Sequence, residues 1–417
     1  MSLFLFILFI PVLSQADVIV VKADGIVNPV MAEFISKTID KAIEEKADLV
    51  VIELDTPGGL DTSMRTIVKK IITSDVPVAV YVSPSGARAA SAGVFITVSA
   101  HIAAMAPGTN IGAAHPVGIG GKIDKTMADK VVNDSAAYIR SLAEKRGRNI
   151  EWVEEAVRKS VSITEKEALN LKVIDLIEPD IKALLKDVDQ RTIETAMGKV
   201  TLKTRDAKIV RKEMNLRYKI LDLISDPNVA YLLMLLGFYG IFFELTNPGA
   251  IFPGVFGAIA LILALYSFQT LPVNYAGLLL IIFGIILFIL EVKVTSFGLL
   301  TIGGIISMVM GSLMLFESPL PFFKVSLKVI LPAVILTAIF FTMTISLAVK
   351  AYRRRPVTGS EGLIGLEGEA RSDIDKEGLV FVHGEIWQAW SDEPIKKGQR
   401  VIVDRVEKLK VKVRPKS

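Results

Sequence analysis

LVVIELDTPGG, residues 49–59, begins as a run of apolar and β-branched residues and ends in a Pro-Gly-Gly turn. A short apolar run that stops at a turn is typical of a buried strand. Similar runs at 18–25 and 76–82 alternate with amphipathic, helix-like stretches at 30–45 and 64–72. This alternation predicts a parallel sheet covered by helices, with functional residues in the loops after the carboxyl ends of the strands.

The 417 residues fall into three zones of different composition. The front is mixed and charged, residues 229–350 are overwhelmingly apolar, and the tail after Arg355 is charged again. A chain of this length exceeds one ordinary compact domain, and its zones indicate a membrane protein with a soluble domain on each flank. The apolar zone divides into stretches close to the roughly 20 residues that cross a bilayer. The five predicted spans lie near residues 229–246, 251–268, 274–291, 297–316 and 327–349.

The charged flanks of the apolar zone differ from each other. Residues 184–226 are more polar than the front domain, which predicts a linker with an amphipathic juxtamembrane helix over 211–224. After Pro356, short β-type runs punctuated by glycine predict a small all-β barrel of the OB type over 356–417. Trp387 and Trp390 alone are weak evidence for a nucleic acid or sugar ligand, so protein docking is the preferred interpretation.

Signals at the two ends of the chain predict its orientation in a cell membrane. Residues 1–16, MSLFLFILFIPVLSQA, form an apolar run that ends small-x-small, as a signal peptide does before its cleavage site. Because no basic residue precedes this run, an uncleaved anchor remains the alternative. The basic cluster at 350–355 follows the last span and predicts a cytoplasmic carboxyl end. In this multi-pass arrangement the front domain, residues 17–183, lies outside the cytoplasm.

The membrane zone, 227–350, also contains a repeat of about 47 residues. It pairs Glu244 with Glu291 and residues 257–259 with 304–306, as a duplicated helical hairpin would. An ionisable group near a span end is costly. Each glutamate is therefore either a polar contact between hairpins or, as the simpler interpretation, a carboxylate that reaches water at the interface.

Composition excludes several kinds of chemistry. The sequence has no cysteine, which rules out disulfides, thiol catalysis and Cys-based metal sites. It has three histidines, and no spacing of histidines or carboxylates matches a metal motif. The net charge of +4 is small, and no basic stripe is interleaved with aromatic residues, which argues against nucleic acid as a partner. No cofactor is expected.

The candidate nucleophile lies in SGARAASAGVFI, residues 85–96. Ser91 stands between two alanines, and such small neighbours allow a tight strand-to-helix turn that exposes the hydroxyl. The N–H of Ala92, at the start of a helix, and the N–H groups of Gly58 and Gly59 could then form an oxyanion hole. The ordinary alternatives are an N-cap serine and a simple Pro-Gly-Gly turn.

Together these segments resemble the ClpP-like serine proteases, and specifically the NfeD family of membrane proteases. The resemblance extends over nearly the whole chain and implies a ClpP/crotonase-like α/β front domain. Its carrying motifs are LDTPGG, ASAGVFI, APGTNIGAAHPV, KVVNDSAAYIRSLAEKRGRN, SITEKEALNLKVID and DPNVAYLLMLLGFYGIFFELTNPG.

The resemblance implies Ser91 as the nucleophile and Lys130, shortly before the Ala-Tyr-Ile segment, as its general base. A neutral lysine can accept the serine proton if desolvation lowers its pKa. Lys130 is expected to open a helix beside two valines, whereas Lys122 and Lys125 are expected on a hydrated Gly-rich loop. His115, 24 residues after Ser91, remains the alternative base.

Two further polar residues near these motifs are not expected to be catalytic. Asp55, beside the Gly-Gly turn, is interpreted as a hydrogen-bonding turn residue. Asn110 is interpreted as a residue that orients its own loop.

The resemblance implies a Ser/Lys endopeptidase that cleaves hydrophobic segments of membrane-associated proteins, with a stomatin-type membrane protein as its partner and substrate. It also implies a homo-oligomer, at least a dimer, in contact with membrane lipid. A non-catalytic membrane scaffold that organises stomatin-like assemblies is the alternative. A crotonase-type enzyme acting on acyl-CoA shares the fold, but export of the front domain argues against it.

Overall fold

The structure, a computed structural model, describes residues 17–118, 124–246, 249, 251–294, 296, 298–318, 320–352 and 360–416. The chain forms two compact units. One contains the residues up to 287 together with 299–336, and the other contains 288–298 together with the chain from 337 onward. The signal peptide expected at 1–16 and the arginines at 353–355 lie outside the described residues.

The front of the first unit is an α/β domain built on a parallel sheet. Its strands are β1 (Asp17–Asp24), β2 (Leu49–Asp55), β3 (Val78–Val82), β4 (Arg88–Ala90), β5 (Ile102–Met105), β6 (Asn110–Gly112), β7 (Ser162–Thr164), β8 (Leu176–Ile177), β9 (Thr192–Thr195), β10 (Gly198–Thr201) and β11 (Lys208–Lys212). The main sheet has the order β11-β1-β2-β3-β5-β8, and β4, β6 and β7 form a small second sheet. The run that predicted a buried strand, β2, lies inside the main sheet and pairs in parallel with β1 and β3.

Helices cover both faces of the main sheet, as the alternating pattern predicts. They are α1 (Pro29–Glu44), α2 (Asp61–Ile72), α3 (Ala92–Ser99), α4 (Lys125–Arg146), α5 (Ile150–Arg158), α6 (Glu165–Asn170), α7 (Ile181–Asp187) and α8 (Leu216–Ile224). Local chemistry sets their ends: Asn28 accepts the Met31 N–H at 2.8 Å to begin α1, and Gly147 in the left-handed conformation ends α4. One apolar core lies under α1–α6 and a second lies under α7.

Residues 184–226, expected as a linker, instead contribute to the first unit. β11 pairs in parallel with β1 and forms the edge of the main sheet. α8 packs on α1, with the rings of Phe34 and Tyr218 5.4 Å apart. The polar composition that indicated a linker belongs to an edge strand and to helices with one solvent face, so composition alone placed the boundary too early. The outer face of α8 exposes Leu216, Ile220 and Leu223; its contact with a membrane remains a prediction.

Apolar helices follow: α9 (Pro227–Thr246), α10 (Ile251–Phe268), α11 (Tyr275–Lys293), α12 (Leu299–Met314) and α13 (Leu327–Tyr352). Within the described ranges, three stretches are long and apolar enough to cross a membrane: Pro227–Leu245, Ile251–Phe268 and Pro321–Met343. The apolar helices Tyr275–Glu291 and Leu299–Met314 are shorter than these. The expected number of five spans therefore remains a prediction.

The 47-residue repeat corresponds to two helical hairpins with equivalent crossings. A Cβ added to Gly237 would lie 3.0 Å from the carbonyl oxygen of Gly257, and a Cβ added to Gly284 would lie 2.9 Å from that of Gly304. Each glycine of the second pair follows its counterpart by the same 47 residues. Small residues allow this close backbone approach between membrane helices. The duplication expected from the sequence is confirmed in the helix packing.

The two repeat glutamates make contacts close to the turns of their hairpins. Glu291 accepts hydrogen bonds from Ser296 Oγ at 2.6 Å and from the Gly298 N–H at 3.0 Å. The Glu244 carboxylate occupies the space beside Gly254 at the start of α10. The hydrogen bonds of Glu291 close the turn of the second hairpin, which gives that carboxylate a structural role.

The second unit ends in a closed barrel. Its strands are β12 (Glu367–Ala370), β13 (Gly378–Val382), β14 (Glu385–Trp390), β15 (Arg400–Glu407) and β16 (Lys410–Pro415), in the order β12-β13-β14-β16-β15. Alternate residues of these strands, among them Val380, Val382, Val401 and Val403, fill the interior. The architecture expected from the sequence is confirmed: an α/β domain on a parallel sheet, a stretch of apolar α-helices that includes candidate spans, and a small closed all-β barrel.

Candidate active site

Ser91 occupies a strained turn between β4 and α3. Its φ is 54° and its ψ is −111°, a backbone conformation that residues with a side chain rarely adopt. The turn is held because the Ser91 N–H donates to the Gly112 carbonyl at 3.0 Å and the Ser91 carbonyl accepts the Val94 N–H at 3.0 Å. Ser91 stands at the N-cap position, but its side chain makes no capping hydrogen bond to the helix. The geometry therefore favours an available hydroxyl over an ordinary N-cap serine.

The Gly-Gly pair after β2 packs directly against this serine. Gly58 has a φ of 120°, and a Cβ added to it would lie 2.7 Å from the Ser91 Cβ. The Gly58 N–H donates to Thr56 Oγ1 at 3.0 Å, so it is already occupied. Gly59 is equally close-packed, since an added Cβ would lie 2.2 Å from the Val27 carbonyl oxygen. Within the described part of the chain, the Gly59 N–H has no such partner, which makes Gly59 the better oxyanion donor of the pair.

A cavity of about 430 Å³ brings most of the predicted residues together. Ser91, Ala92, Gly59 and Lys130 all line it. The Ala92 N–H belongs to the first turn of α3, where backbone donors have no partner within the helix. A carbonyl oxygen placed in this cavity could therefore meet a nucleophile and two backbone donors.

Lys130 reaches the cavity from α4, but its surroundings differ from those expected. The helix begins at Lys125 and not at Lys130, so Lys125 lies in the first turn and not on a loop. Asp124 caps this helix and starts it earlier than the apolar pattern indicated. Lys130 is exposed, and no hydrogen bond joins it to Ser91 within the described residues. Lys122 lies outside those residues.

His115 lies beside the cavity of Ser91 but does not line it. Its Nδ1 lies 2.8 Å from the carbonyl oxygen of Val157, and a carbonyl only accepts, so this nitrogen carries a proton. The ring lines a second, adjoining cavity. Because the ring lines this second cavity and not that of Ser91, the position of His115 favours a structural role over that of a base for Ser91.

Sequence reasoning missed a polar wall of the cavity, formed by Arg65, Asp134 and Ser135. Arg65 pairs with Asp61 at 2.8 Å and with Asp134, and its guanidinium lies 4.5 Å from the centre of the Tyr138 ring. Burial alone would lower the pKa of Arg65, but the two carboxylates raise it. Arg65 and the residues of α4 that it contacts are distant in sequence, so no motif indicated the contact.

Two arginines, Arg148 buried and Arg146 partly buried, fix the far end of α3. Arg146 Nε donates to the Ser99 carbonyl at 2.8 Å, and Arg148 Nη1 donates to the Thr97 carbonyl at 3.0 Å and to the next carbonyl. Arg148 Nη2 also pairs with Asp175 at 3.0 Å. Burial lowers the pKa of both arginines, that of Arg146 to about 10. Cations at the carboxyl end of α3 complement its dipole, so they help to hold Ser91 at the other end.

His101 follows α3 and lies close to the same arginines. Its Nδ1 accepts the Val78 N–H at 3.2 Å. Burial, assisted by the charges of Arg146 and Arg148, lowers the pKa of His101 to about 3. His101 is therefore neutral at physiological pH.

The two residues interpreted as non-catalytic have clear positions. Asp55 Oδ1 accepts the Arg88 N–H at 3.0 Å and so links the end of β2 to β4, as expected of a turn residue. Asn110 begins β6, and its side chain is exposed.

Three family models match the chain in succession. Residues 17–196 match "NfeD1b, N-terminal domain", residues 228–347 match "NfeD integral membrane domain", and residues 360–415 match "NfeD-like C-terminal, partner-binding domain".

Similar proteins include a curated protease and a membrane protein. The chain is 36% identical to the membrane-bound protease PH1510 of Pyrococcus horikoshii, covering 94% of this chain and 92% of that one. It is 28% identical to the membrane protein NfeD1b of Bacillus subtilis, covering 88% and 83% of the two chains. Among solved structures, a mutant of the 1510-N membrane-bound stomatin-specific protease, in complex with a substrate peptide, is 34% identical with a TM-score of 0.48. The match covers 51% of this chain and 99% of that one.

Proposed function

Because the chain belongs to the NfeD family of membrane proteins, we propose that it is a membrane-anchored serine endopeptidase with Ser91 as nucleophile and Lys130 as general base. One observation carries this proposal. Ser91 is held in a strained turn with a φ of 54°, without a capping bond, beside a cavity that Lys130 and Gly59 also line. Backbone strain of this kind is concentrated at functional sites. The similarity to a membrane-bound protease supports the same reaction class.

The reaction begins when Ser91 Oγ attacks the carbonyl carbon of a peptide bond and its proton passes to neutral Lys130 Nζ. The N–H groups of Gly59 and Ala92 stabilise the tetrahedral oxyanion. The C–N bond then breaks, Lys130 returns the proton to the leaving amine, and an acyl-enzyme remains on Ser91. Water activated by Lys130 releases the acyl group and restores the serine.

Lys130 must lose its charge for this role, and it is exposed in the isolated chain. Desolvation lowers the pKa of a lysine. We assign that desolvation to bound substrate or to a second copy of the chain, in keeping with a homo-oligomer of at least two subunits. If Lys130 acts as a base only when bound substrate buries it, hydrolysis is restricted to segments that fill the cavity.

The substrate in this proposal is a hydrophobic segment of a membrane-associated protein, with a stomatin-like protein as partner. The support comes from relatives: one similar structure is of a stomatin-specific protease. The carboxyl-terminal barrel matches a model described as partner-binding. The protease domain lies outside the cytoplasm and the barrel lies inside, an orientation supported by the apolar first 16 residues and the basic cluster after the last apolar helix.

The alternative is a non-catalytic membrane scaffold that organises stomatin-like assemblies through the barrel. The match of the barrel to a partner-binding model and the exposure of Lys130 favour it. A scaffold needs no hydroxyl at Ser91. Assembly with a partner would then be unchanged in Ser91→Ala.

The test is cleavage of fluorescent, apolar peptides by the full chain in lipid nanodiscs. We expect turnover in the wild type and its loss, by at least about 10²-fold, in Ser91→Ala and in Lys130→Ala. Lys125→Ala is the matched control, since Lys125 is an exposed lysine on the same helix that does not line the cavity. His115→Ala is expected to retain turnover. Equal inactivity of folded wild type and Ser91→Ala would give the scaffold function precedence.

A further inference from the structure

A larger cavity, of about 620 Å³, adjoins the cavity of Ser91. Pro116, Val117 and Val131 line both cavities, so the two share one side. Each volume lies in the range of about 300–1,000 Å³ that is usual for ligand sites. The two cavities therefore adjoin along this shared side, and an extended ligand at Ser91 would lie next to the second cavity.

The opposite side of the second cavity comes from the membrane domain. Leu313, Met314 and Phe316, at the end of α12 and just beyond it, line the second cavity, and Leu320 lines the cavity of Ser91. We call these four residues the membrane-side wall. Leu313 and Met314 are 52% and 38% exposed, so the wall presents apolar surface to any ligand in the cavity.

Backbone pairing holds the membrane-side wall in place. Phe316 forms an antiparallel bridge with Val273, and the Asn274 N–H donates to the Leu315 carbonyl at 2.8 Å. The Asn274 side chain also donates to Glu317 Oε2 at 2.8 Å. The two loops that follow α10 and α12 are thus tied together, and the wall is a fixed surface.

The junction between the front domain and the membrane helices is also short and bonded. α8 packs on the front domain, and the Asn28 side chain donates to Asp222 in α8 at 2.7 Å. Asp226 then caps α9 by accepting the Asn228 N–H at 2.8 Å. These bonds tie the front domain to the start of the first membrane helix, α9.

We propose that the membrane-side wall is a specificity site that binds an extended apolar segment of polypeptide beside the bond cut at Ser91. The inference rests on the proposed function and deepens it. A polypeptide fits better than lipid because the second cavity carries polar groups, Glu317 and Lys324, that can bond peptide amides, and because the cavity next to it holds the nucleophile. The wall lies where α12 ends and the candidate span Pro321–Met343 begins, which places it next to an end of a candidate membrane helix.

The experiment measures binding separately from cleavage. The full chain carrying Ser91→Ala is placed in nanodiscs, and fluorescence anisotropy gives the Kd of a labelled apolar hexapeptide. Two longer peptides add four apolar residues at its amino or its carboxyl end. Met314→Ala tests the wall in this background. Met310→Ala is the matched control, because Met310 is an equally apolar residue one turn earlier on α12, is 52% exposed and lines neither cavity.

We expect one extended peptide to bind about tenfold tighter than the hexapeptide, as buried apolar side chains allow. Met314→Ala should reduce that advantage about fivefold, and Met310→Ala should leave it unchanged. Equal affinities for all three peptides, or equal effects of the two substitutions, would overturn the proposal. If the extended peptide binds more tightly only after lipid is replaced by detergent, the wall binds lipid and not polypeptide, and this result would also overturn the proposal. If the binding difference is present but the Ser91-intact chain cuts none of the peptides, the specificity site stands and the protease function fails.

Discussion

Arg148→Met should destabilise the front domain by about 3 kcal/mol. The side chain is 2% exposed and donates to two carbonyls of α3 and to Asp175. Hydrogen bonds to charged groups contribute about 1.5–3 kcal/mol each, and removing one partner of a buried pair costs about 3–5 kcal/mol. Asp175 is 37% exposed and keeps its hydrogen bond from the Ala103 N–H at 2.7 Å. Water can therefore partly replace the arginine that the Asp175 carboxylate loses. Methionine fills most of the vacated volume, so we expect a loss of free energy of unfolding at the lower end of the range of about 3–5 kcal/mol.

The assay is thermal unfolding of the full chain, followed by the fluorescence of Trp152 after Trp387 and Trp390 are changed to phenylalanine. A loss of about 3 kcal/mol in a domain of this size lowers Tm by roughly 6–12 °C. Arg191→Met is the control, because Arg191 pairs with Asp187 on the surface and should shift Tm by no more than about 2 °C. A shift for Arg148→Met no larger than that of the control would refute the role of the buried cation.

Three further predictions follow from the packing. His101 takes up a proton near pH 6.5 in the unfolded state but only near pH 3 in the folded state. The free energy of unfolding should therefore fall, as the pH is lowered below about 6.5, by up to ~1.4 kcal/mol per pH unit. His101→Asn should remove that component from denaturation curves measured at pH 6.5 and 5. Gly59→Ala forces a Cβ to within 2.2 Å of the Val27 carbonyl oxygen and should cost about 3 kcal/mol or more in the same unfolding assay. Gly257→Ala should separate α9 from α10 and lower Tm, while Gly303→Ala, whose nearest neighbour would be 3.5 Å away, should not.

The candidate nucleophile could be proposed from the sequence because the signal there is local. Alanines and a glycine around Ser91 are needed for any sharp strand-to-helix turn, and they can be read directly. The strain itself was not visible, since it depends on Gly112, which holds the Ser91 N–H from another strand. The choice between Gly58 and Gly59 as donor also depended on a hydrogen bond to Thr56 that no motif specifies.

Features that depend on contacts distant in sequence could not be predicted. The exposure of Lys130 depends on which parts of the molecule cover α4. The apolar residues that follow Lys130 in the sequence do not reveal this. Residues 208–212 look polar and were assigned to a linker, yet they form the edge strand of the main sheet. The second cavity joins residues about 200 positions apart, such as Val117 and Met314, through the packing of the front domain against the membrane helices. The 47-residue repeat could be predicted because duplication is a property of the sequence itself.

Covalent labelling of Ser91 tests the central claim most directly. The full chain in nanodiscs is incubated with an apolar peptidyl fluorophosphonate, and the rate of adduct formation is followed by intact mass and mapped by peptide mass analysis. We predict one adduct per chain on Ser91, formed at least about 10²-fold more slowly in Lys130→Ala and at the wild-type rate in Lys125→Ala. An adduct that forms at the same rate with and without Lys130, or no adduct on Ser91 in the folded wild type, would contradict the Ser/Lys account.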